Sequence, residues 1–171
     1  MLVAVTGTPG TGKSSVCDVL AGRGYHVVDL DAAAKELGLT ESAEDGTTLV
    51  DVDALAARLH VPTKVAFLKG HYAHRIPANL IVVLRCHPEE LWRRLRARSW
   101  PVEKVRENVE AEAIDVILQE AVGRLDFVFE IDTTRATPRE TAESILAIVQ
   151  GRTEGHEPGS VNWTSEVLSW Y

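Results

Sequence analysis

The chain has 171 residues, 45% hydrophobic and 25% charged, enough for one domain with its own core. Eighteen Lys and Arg against 25 Asp and Glu give a formal charge of −7, which argues against a general binder of nucleic-acid backbone and leaves no sequence-specific nucleic-acid contact to expect. No apolar run approaches the roughly 18 residues of a membrane span, and the N-terminus enters an apolar segment directly, so a cytoplasmic protein without membrane contact is expected.

Residues 2–6, Leu-Val-Ala-Val-Thr, form the first strand-like run. Gly7, Gly10, Gly12, Lys13 and Ser14 then satisfy G-x-x-x-x-G-K-[ST], and a helix-like segment follows as far as Gly22 and Gly24. In this strand–loop–helix context the glycines let backbone N–H groups turn toward a phosphate, where the positive end of the helix dipole adds attraction. Lys13 supplies a point charge for the β and γ oxygens, the Ser14 hydroxyl is placed to ligate Mg²⁺, and Ser15 can hydrogen-bond an α-phosphate. Cys17, in this helix, and Cys86 stand alone, without metal-ligand or disulfide spacing, and read as reduced structural residues.

Further Val-, Ile-, Leu- and Phe-rich runs at 26–30, 64–68, 79–85 and 126–131 suit strands buried on both faces of a parallel sheet. Between and after them lie helical patterns at 31–37, at 51–59 with Asp51 as N-cap, at 88–98 behind Pro88, at 102–122, and at 138–149 behind Pro138. This alternation predicts an α/β protein with a five-stranded parallel sheet flanked by helices. The acidic stretch 40–48 reads as a mobile loop. From 151 to 160 the composition turns to Gly, Glu, Pro and Ser before the chain closes with Trp163, Trp170 and Tyr171. This tail is either a docked aromatic clamp or a partner-binding peptide. Docking is favoured, because three exposed large aromatics make an awkward surface.

A phosphate-binding loop alone does not separate a kinase from an ATPase, a switch or a motor. The guanine-reading N-K-x-D string is missing, which argues against a GTPase. Arg85, Arg93, Arg94, Arg96 and Arg98 crowd residues 85–98, with Leu91, Leu95 and Arg98 on one helical face. Phosphoryl transfer between nucleotides concentrates negative charge around the moving group, and guanidinium forks suit that charge. The alternative is a solvated basic helix face paired with neighbouring glutamates.

The segments "VTGTPGTGKSS", "GHYAH", "VVLRCHPEEL" with "RLRAR", "KVRENVEAEAIDVI", "IDTT" and "GSVNWT" together make the chain resemble, over nearly its whole length, the adenylate kinases of the isoenzyme-six type, particularly archaeal ones. The resemblance implies one P-loop nucleoside monophosphate kinase domain over 1–171, with a monophosphate-binding segment near 27–50, a short lid near 97–107 and the tail at 151–171. It implies broad-specificity transfer of the γ-phosphoryl group from Mg²⁺-bound ATP to AMP or a related monophosphate, ATP + AMP giving two ADP. It also implies ATPase activity and, as the alternative function, an ATP-hydrolysing assembly factor in small-ribosomal-subunit maturation and rRNA processing, with a small-subunit ribosomal protein as partner.

Carried onto this chain, the ATP site comprises Gly10, Gly12, Lys13, Ser14 and Ser15, with Arg98 as the lid arginine lying against adenine and phosphates and Arg135 flanking the base. Arg85 and Arg94 occupy matching basic positions within reach of transferring phosphates. His71 matches a histidine implicated in activity, although a histidine at a strand end also serves as a hydrogen-bonded structural residue. Relatives carry an acid two residues before that histidine to hold Mg²⁺ through water, and this chain has Lys69 there. Asp29, Asp31 or the phosphate oxygens alone are left to complete the metal shell; the alternative is weakened chemistry. Lys35 is the only basic side chain between Arg23 and Arg58, which leaves the acceptor phosphate to the lid-side arginines.

Overall fold

A computed structural model describes residues 1–43, 48–61 and 64–168 of the protein. In chain order it contains β1 (Leu2–Thr6), α1 (Lys13–Gly22), β2 (His26–Asp29), α2 (Leu30–Glu36), β3 (Thr40–Ser42), β4 (Thr48–Val50), α3 (Val52–Arg58) and β5 (Ala66–Lys69). A 3₁₀ turn (Ala73–Arg75), β6 (Leu80–Arg85), α4 (Pro88–Arg96), α5 (Val102–Ala113), α6 (Val116–Val122), β7 (Val128–Asp132), α7 (Pro138–Val149) and α8 (Thr164–Leu168) complete it.

The five apolar strands form one parallel sheet in the order β2-β5-β1-β6-β7, with β1 in the centre, where Val3 is registered against both Phe67 and Leu80. Side chains alternate to the two faces. Ala4, Leu68, Ile81 and Val83 pack on one face against α2, α3 and α6, while Val3, Val5, Phe67 and Val82 pack on the other against α1 and α7. Leu91 and Leu95 of α4 meet Val105 and Val109 of α5 in a smaller core beside the end of β6. The expected α/β sheet with flanking helices is therefore present, and its carboxyl ends open where ligands of such sheets sit.

Three local features differ from the sequence reading. The stretch 40–48 is not loop throughout: Thr40–Ser42 pairs antiparallel with Thr48–Val50, while 44–47 lie outside the described residues. The helical pattern at 102–122 is broken at Asp115, which takes a left-handed conformation with φ 60° between α5 and α6. Aspartate tolerates this conformation, and its carboxylate is pulled onto Arg85. The pattern at 88–98 ends earlier, followed by Ser99 at φ 58° and Pro101 ahead of α5.

The tail docks through Trp163 and on to Glu166, which lies 3.2 Å from His87 Nε2. The Glu130 amide donates to the His156 carbonyl at 2.7 Å, the His156 ring nitrogen Nδ1 lies 2.9 Å from the Glu130 carbonyl, and the Gly159 amide donates to the Glu130 carboxylate. Trp163 is 9% exposed and meets the His87 ring edge-on at 5.2 Å. Trp170 and Tyr171 lie outside the described residues. No helix among the described residues is long and apolar enough to cross a membrane.

Candidate active site

The loop from β1 to α1 is shaped by close packing. Gly7 has φ 137°, and a Cβ on it would stand 2.4 Å from the Leu84 carbonyl oxygen; Gly10 has φ 95°, and its Cβ would stand 2.7 Å from Leu91 Cδ1. The loop therefore lies directly on the end of β6 and on α4. Lys13 Nζ bridges the loop from within, donating to the carbonyls of Gly7 at 2.6 Å and Thr8 at 3.0 Å. Burial pushes its ammonium down to about 8; Arg98 acts in the same direction, while Glu112 and Asp31 act against it.

Two clefts open on this loop, and a third adjoins the second of them. The first, of about 450 Å³, lies between the loop, the end of α4 and the segment after β7, with Gly10, Gly12, Ser15, Arg94, Arg98 and Thr133 in its walls. The second, of about 340 Å³, lies in front of Lys13 and Ser14 and is walled by Asp29, Asp31, Lys69, His71, Arg98 and Trp100. The third, of about 740 Å³, lies under the β3–β4 hairpin, with Asp31, Lys35, His71, Tyr72 and Arg75 around it. Arg98 borders the first two; His71 and Asp31 border the last two. Gly10, Gly12, Lys13, Ser14, Ser15, Arg98 and His71 are thus brought together.

His71 is held at the rim by its backbone, whose carbonyl accepts the Thr6 hydroxyl at 3.0 Å, and its ring stands edge-on to Tyr72. Burial and then the Lys13 charge lower its pKa, which keeps the imidazole neutral at pH 7. His74 does not face this site. It is buried between the Thr6 hydroxyl, 3.0 Å from Nδ1, and Glu120, 2.9 Å from Nε2.

The arginines divide by environment. Arg94 borders the first cleft, but Nε donates to Glu90 at 2.8 Å and one terminal nitrogen to the carbonyls of Thr133 and Thr134 at 2.8 and 3.0 Å, so it holds the segment after β7 in place. Arg135 lies in a neighbouring cleft with His87 and Trp163, outside the walls of the clefts at the loop. The expectation that Arg85 touches transferring phosphates is corrected. Arg85 is 1% exposed; its Nε donates to Glu112 at 2.7 Å, and its terminal nitrogens donate to Glu130 and Asp115. Burial works against its charge, but the three carboxylates outweigh it and push its pKa up. Its donors are spent on acids beneath the loop.

Two residues escaped the sequence reading. Glu112 joins this buried cluster to the loop: it accepts the Thr8 hydroxyl at 2.6 Å, the Cys86 amide at 3.1 Å and Trp163 Nε1 at 3.4 Å. Arg75, carried by the 3₁₀ turn after β5, brings a guanidinium to the third cleft that a count of basic residues up to Arg58 could not find. Both cysteines are buried and free, and burial pushes each thiol up to about 12, consistent with inert structural residues.

The residues also bear on a metal ion. Among the described residues no group of three or more His, Cys, Asp or Glu is gathered as for a protein-caged ion. Ser14 and Asp31 offer oxygens in the second cleft, whereas Asp29 carries Lys69 at 2.5 Å. This donor set fits a hard cation that arrives on phosphate oxygens and takes one hydroxyl from the loop.

Residues 3–115 match the AAA domain family. A protein of Archaeoglobus fulgidus is 43% identical over 98% of this chain and 94% of its own length, and one of Natronomonas pharaonis is 40% identical over 98% and 100%. A third, from Methanosarcina acetivorans, is 38% identical over 98% and 100%; all three bear the name "Putative adenylate kinase". Among solved structures, shikimate kinase from Acinetobacter baumannii superposes with a TM-score of 0.63 at 18% identity, covering 90% of this chain and 94% of that one. A gluconokinase from Sinorhizobium meliloti gives 0.58 at 21% identity, covering 90% and 93%. These two share the fold. At this identity over nearly full length, the chain belongs to the P-loop kinase family of the archaeal proteins that carry that name.

Proposed function

We infer that the protein transfers the γ-phosphoryl group of ATP to AMP, giving two ADP. The observation that carries this is the pair of clefts on either side of His71: one contains the phosphate loop, the other contains Lys35 and Arg75 under the hairpin, and they meet where a phosphoryl group would cross. The name of the archaeal relatives supports adenylate as the acceptor.

In this reading the loop amides, Lys13 and Arg98 neutralise the triphosphate, and Arg94 keeps the segment after β7 in position behind the base. Mg²⁺, if held through Ser14, would add charge neutralisation and orientation. Arg75 and Lys35 hold the AMP phosphate so that one of its oxygens lies in line with the γ-phosphorus. That oxygen forms the new P–O bond as the bond to the bridging β–γ oxygen breaks, and the leaving charge develops on ADP beside Lys13 and Arg98. A phosphate dianion has no proton to lose, so no general base is required, and neutral His71 serves as a donor that orients the group in transit. Asp31 repels a misplaced phosphate from the gap between the clefts. The segment 97–107, with Arg98 at its start, is the part that closes over the donor.

The test is the initial rate of ADP formation from ATP and Mg²⁺ with AMP, CMP, UMP, shikimate or gluconate as acceptor. AMP is expected to give the highest rate. A rate unaffected by any monophosphate, or highest with shikimate or gluconate, refutes the assignment.

A further inference from the structure

The cleft in front of Lys13 holds a second ammonium. Lys69 ends β5, registered against Val5 of β1 and Asp29 of β2, and its side chain leaves the sheet at the carboxyl end, next to the phosphate loop. It lines the same cleft as Lys13, Ser14, His71 and Arg98. P-loop enzymes ordinarily reach their metal with an aspartate, which acts through its negative charge. A lysine has the opposite charge and interacts with phosphate directly.

The local bonding shows how the lysine is held. Its Nζ lies 2.5 Å from Asp29 Oδ2, with the two side chains 20% and 40% exposed. The other oxygen of Asp29 caps α2, accepting from the amides of Asp31 at 3.1 Å and Ala32 at 3.3 Å. Both carboxylate oxygens are therefore in use, and Asp29 is anchored to a helix end while it steadies the lysine. An ammonium has three N–H donors, and among the described residues Asp29 is the one side-chain partner seen for this one. The remaining donors are available to an anion in the cleft.

We propose that Lys69, steadied by Asp29, is a phosphate-binding cation of the donor site, so that the protein binds ATP with little dependence on a divalent metal. The proposal rests on the donor-site reading above. Lys69 and Lys13 would approach the β and γ oxygens from two sides, and the fixed lysine would provide part of the neutralisation otherwise left to Mg²⁺. A pair formed only between Lys69 and Asp29, with no call on the ligand, would be a purely structural link between β2 and β5.

The experiment is calorimetric binding of the non-hydrolysable analogue β,γ-imido-ATP to the full chain, in EDTA and in saturating Mg²⁺, for the parent, Lys69→Met, Lys69→Glu and Asp29→Asn. The parent is expected to change affinity by less than about tenfold between the two conditions. Lys69→Met should lose about tenfold or more in EDTA and clearly less in Mg²⁺, and Lys69→Glu should show the steepest metal dependence of the set. Asp29→Asn keeps the helix cap but loses the oxygen that steadies the ammonium, so it should lose part of the metal-free binding, clearly less than Lys69→Met. Equal affinity of Lys69→Met and the parent in EDTA, an equal loss in both conditions, or an Asp29→Asn loss matching that of Lys69→Met overturns the proposal. Thermal unfolding without nucleotide checks each variant, and Lys69→Gln replaces Lys69→Met in the comparison if the latter does not melt cooperatively. Failure of the parent to bind in either condition would refute the donor site itself; binding by the parent with indifference to Lys69 would refute this proposal alone.

Discussion

Replacing Arg85 with methionine should cost the fold far more than it costs nucleotide recognition. The guanidinium is 1% exposed and is the cation facing Glu112 and Glu130, which are 3% and 0% exposed, and Asp115 at the rim. Removing it strands two buried carboxylates, and breaking a buried ion pair from one side costs about 3–5 kcal/mol. Total stability of a domain is about 5–15 kcal/mol, so the variant should lose a large share of it. With a urea dependence of about 2 kcal/mol per molar, the midpoint should fall by roughly 2 M. Combining Arg85→Met with Glu112→Gln and Glu130→Gln should recover a large part of that loss, because no unpaired charge then remains in the interior. Urea unfolding followed by tryptophan fluorescence measures all three states. A loss below about 1 kcal/mol for Arg85→Met would refute the buried cluster as a determinant of stability. A folded Arg85→Lys protein with kcat greatly reduced would reinstate Arg85 as a phosphate contact.

Three further outcomes follow from the site and the tail. The Lys13 pKa is lowered to about 8 by burial, and a bound polyphosphate raises it again, so ATP affinity should be complete below pH 8 and decline by up to about tenfold per unit above it; calorimetry from pH 7 to 9.5 checks this, and a flat profile contradicts it. Arg75→Ala should raise the KM for AMP about tenfold or more with the KM for ATP within a factor of about two, and steady-state kinetics with each substrate varied would show the reverse pattern if Arg75 served the donor. Trp163→Ala removes the buried aromatic that seats the tail on His87 and Glu112 and should cost about 3 kcal/mol; limited proteolysis should then cut first within 151–163, and unchanged protection there would contradict docking through this residue.

The extent to which the sequence revealed this arrangement depended on how local each determinant is. The phosphate loop is set by neighbouring residues, since the glycines, Lys13 and Ser14 act through one turn of backbone, and the parallel sheet announces itself in short runs of apolar residues. Arg85 could not be placed this way. An arginine at a strand end looks the same whether it faces phosphate or buried acid, and its partners Glu112, Asp115 and Glu130 stand 27, 30 and 45 residues further along. The break at Asp115 was hidden for the same reason: the apolar period runs through it, and only the distant guanidinium makes the left-handed conformation worthwhile. Lys69 was recognisable as an unusual residue, but its pairing with Asp29 arises from sheet register between β2 and β5 and not from chain proximity. Arg75 reaches its cleft from the 3₁₀ turn after β5, which packs on β1 and α6.

The most direct test of the proposed activity is the stoichiometry of the products. ATP and Mg²⁺ are incubated with the purified protein with and without AMP, nucleotides and free phosphate are quantified, and Lys13→Ala is run beside the parent. Transfer to AMP predicts two ADP for each AMP consumed, little free phosphate, and loss of the AMP-dependent ADP in the variant. Slow release of ADP with an equal amount of phosphate, indifferent to AMP, would contradict the kinase assignment and point instead to an ATP-hydrolysing assembly factor.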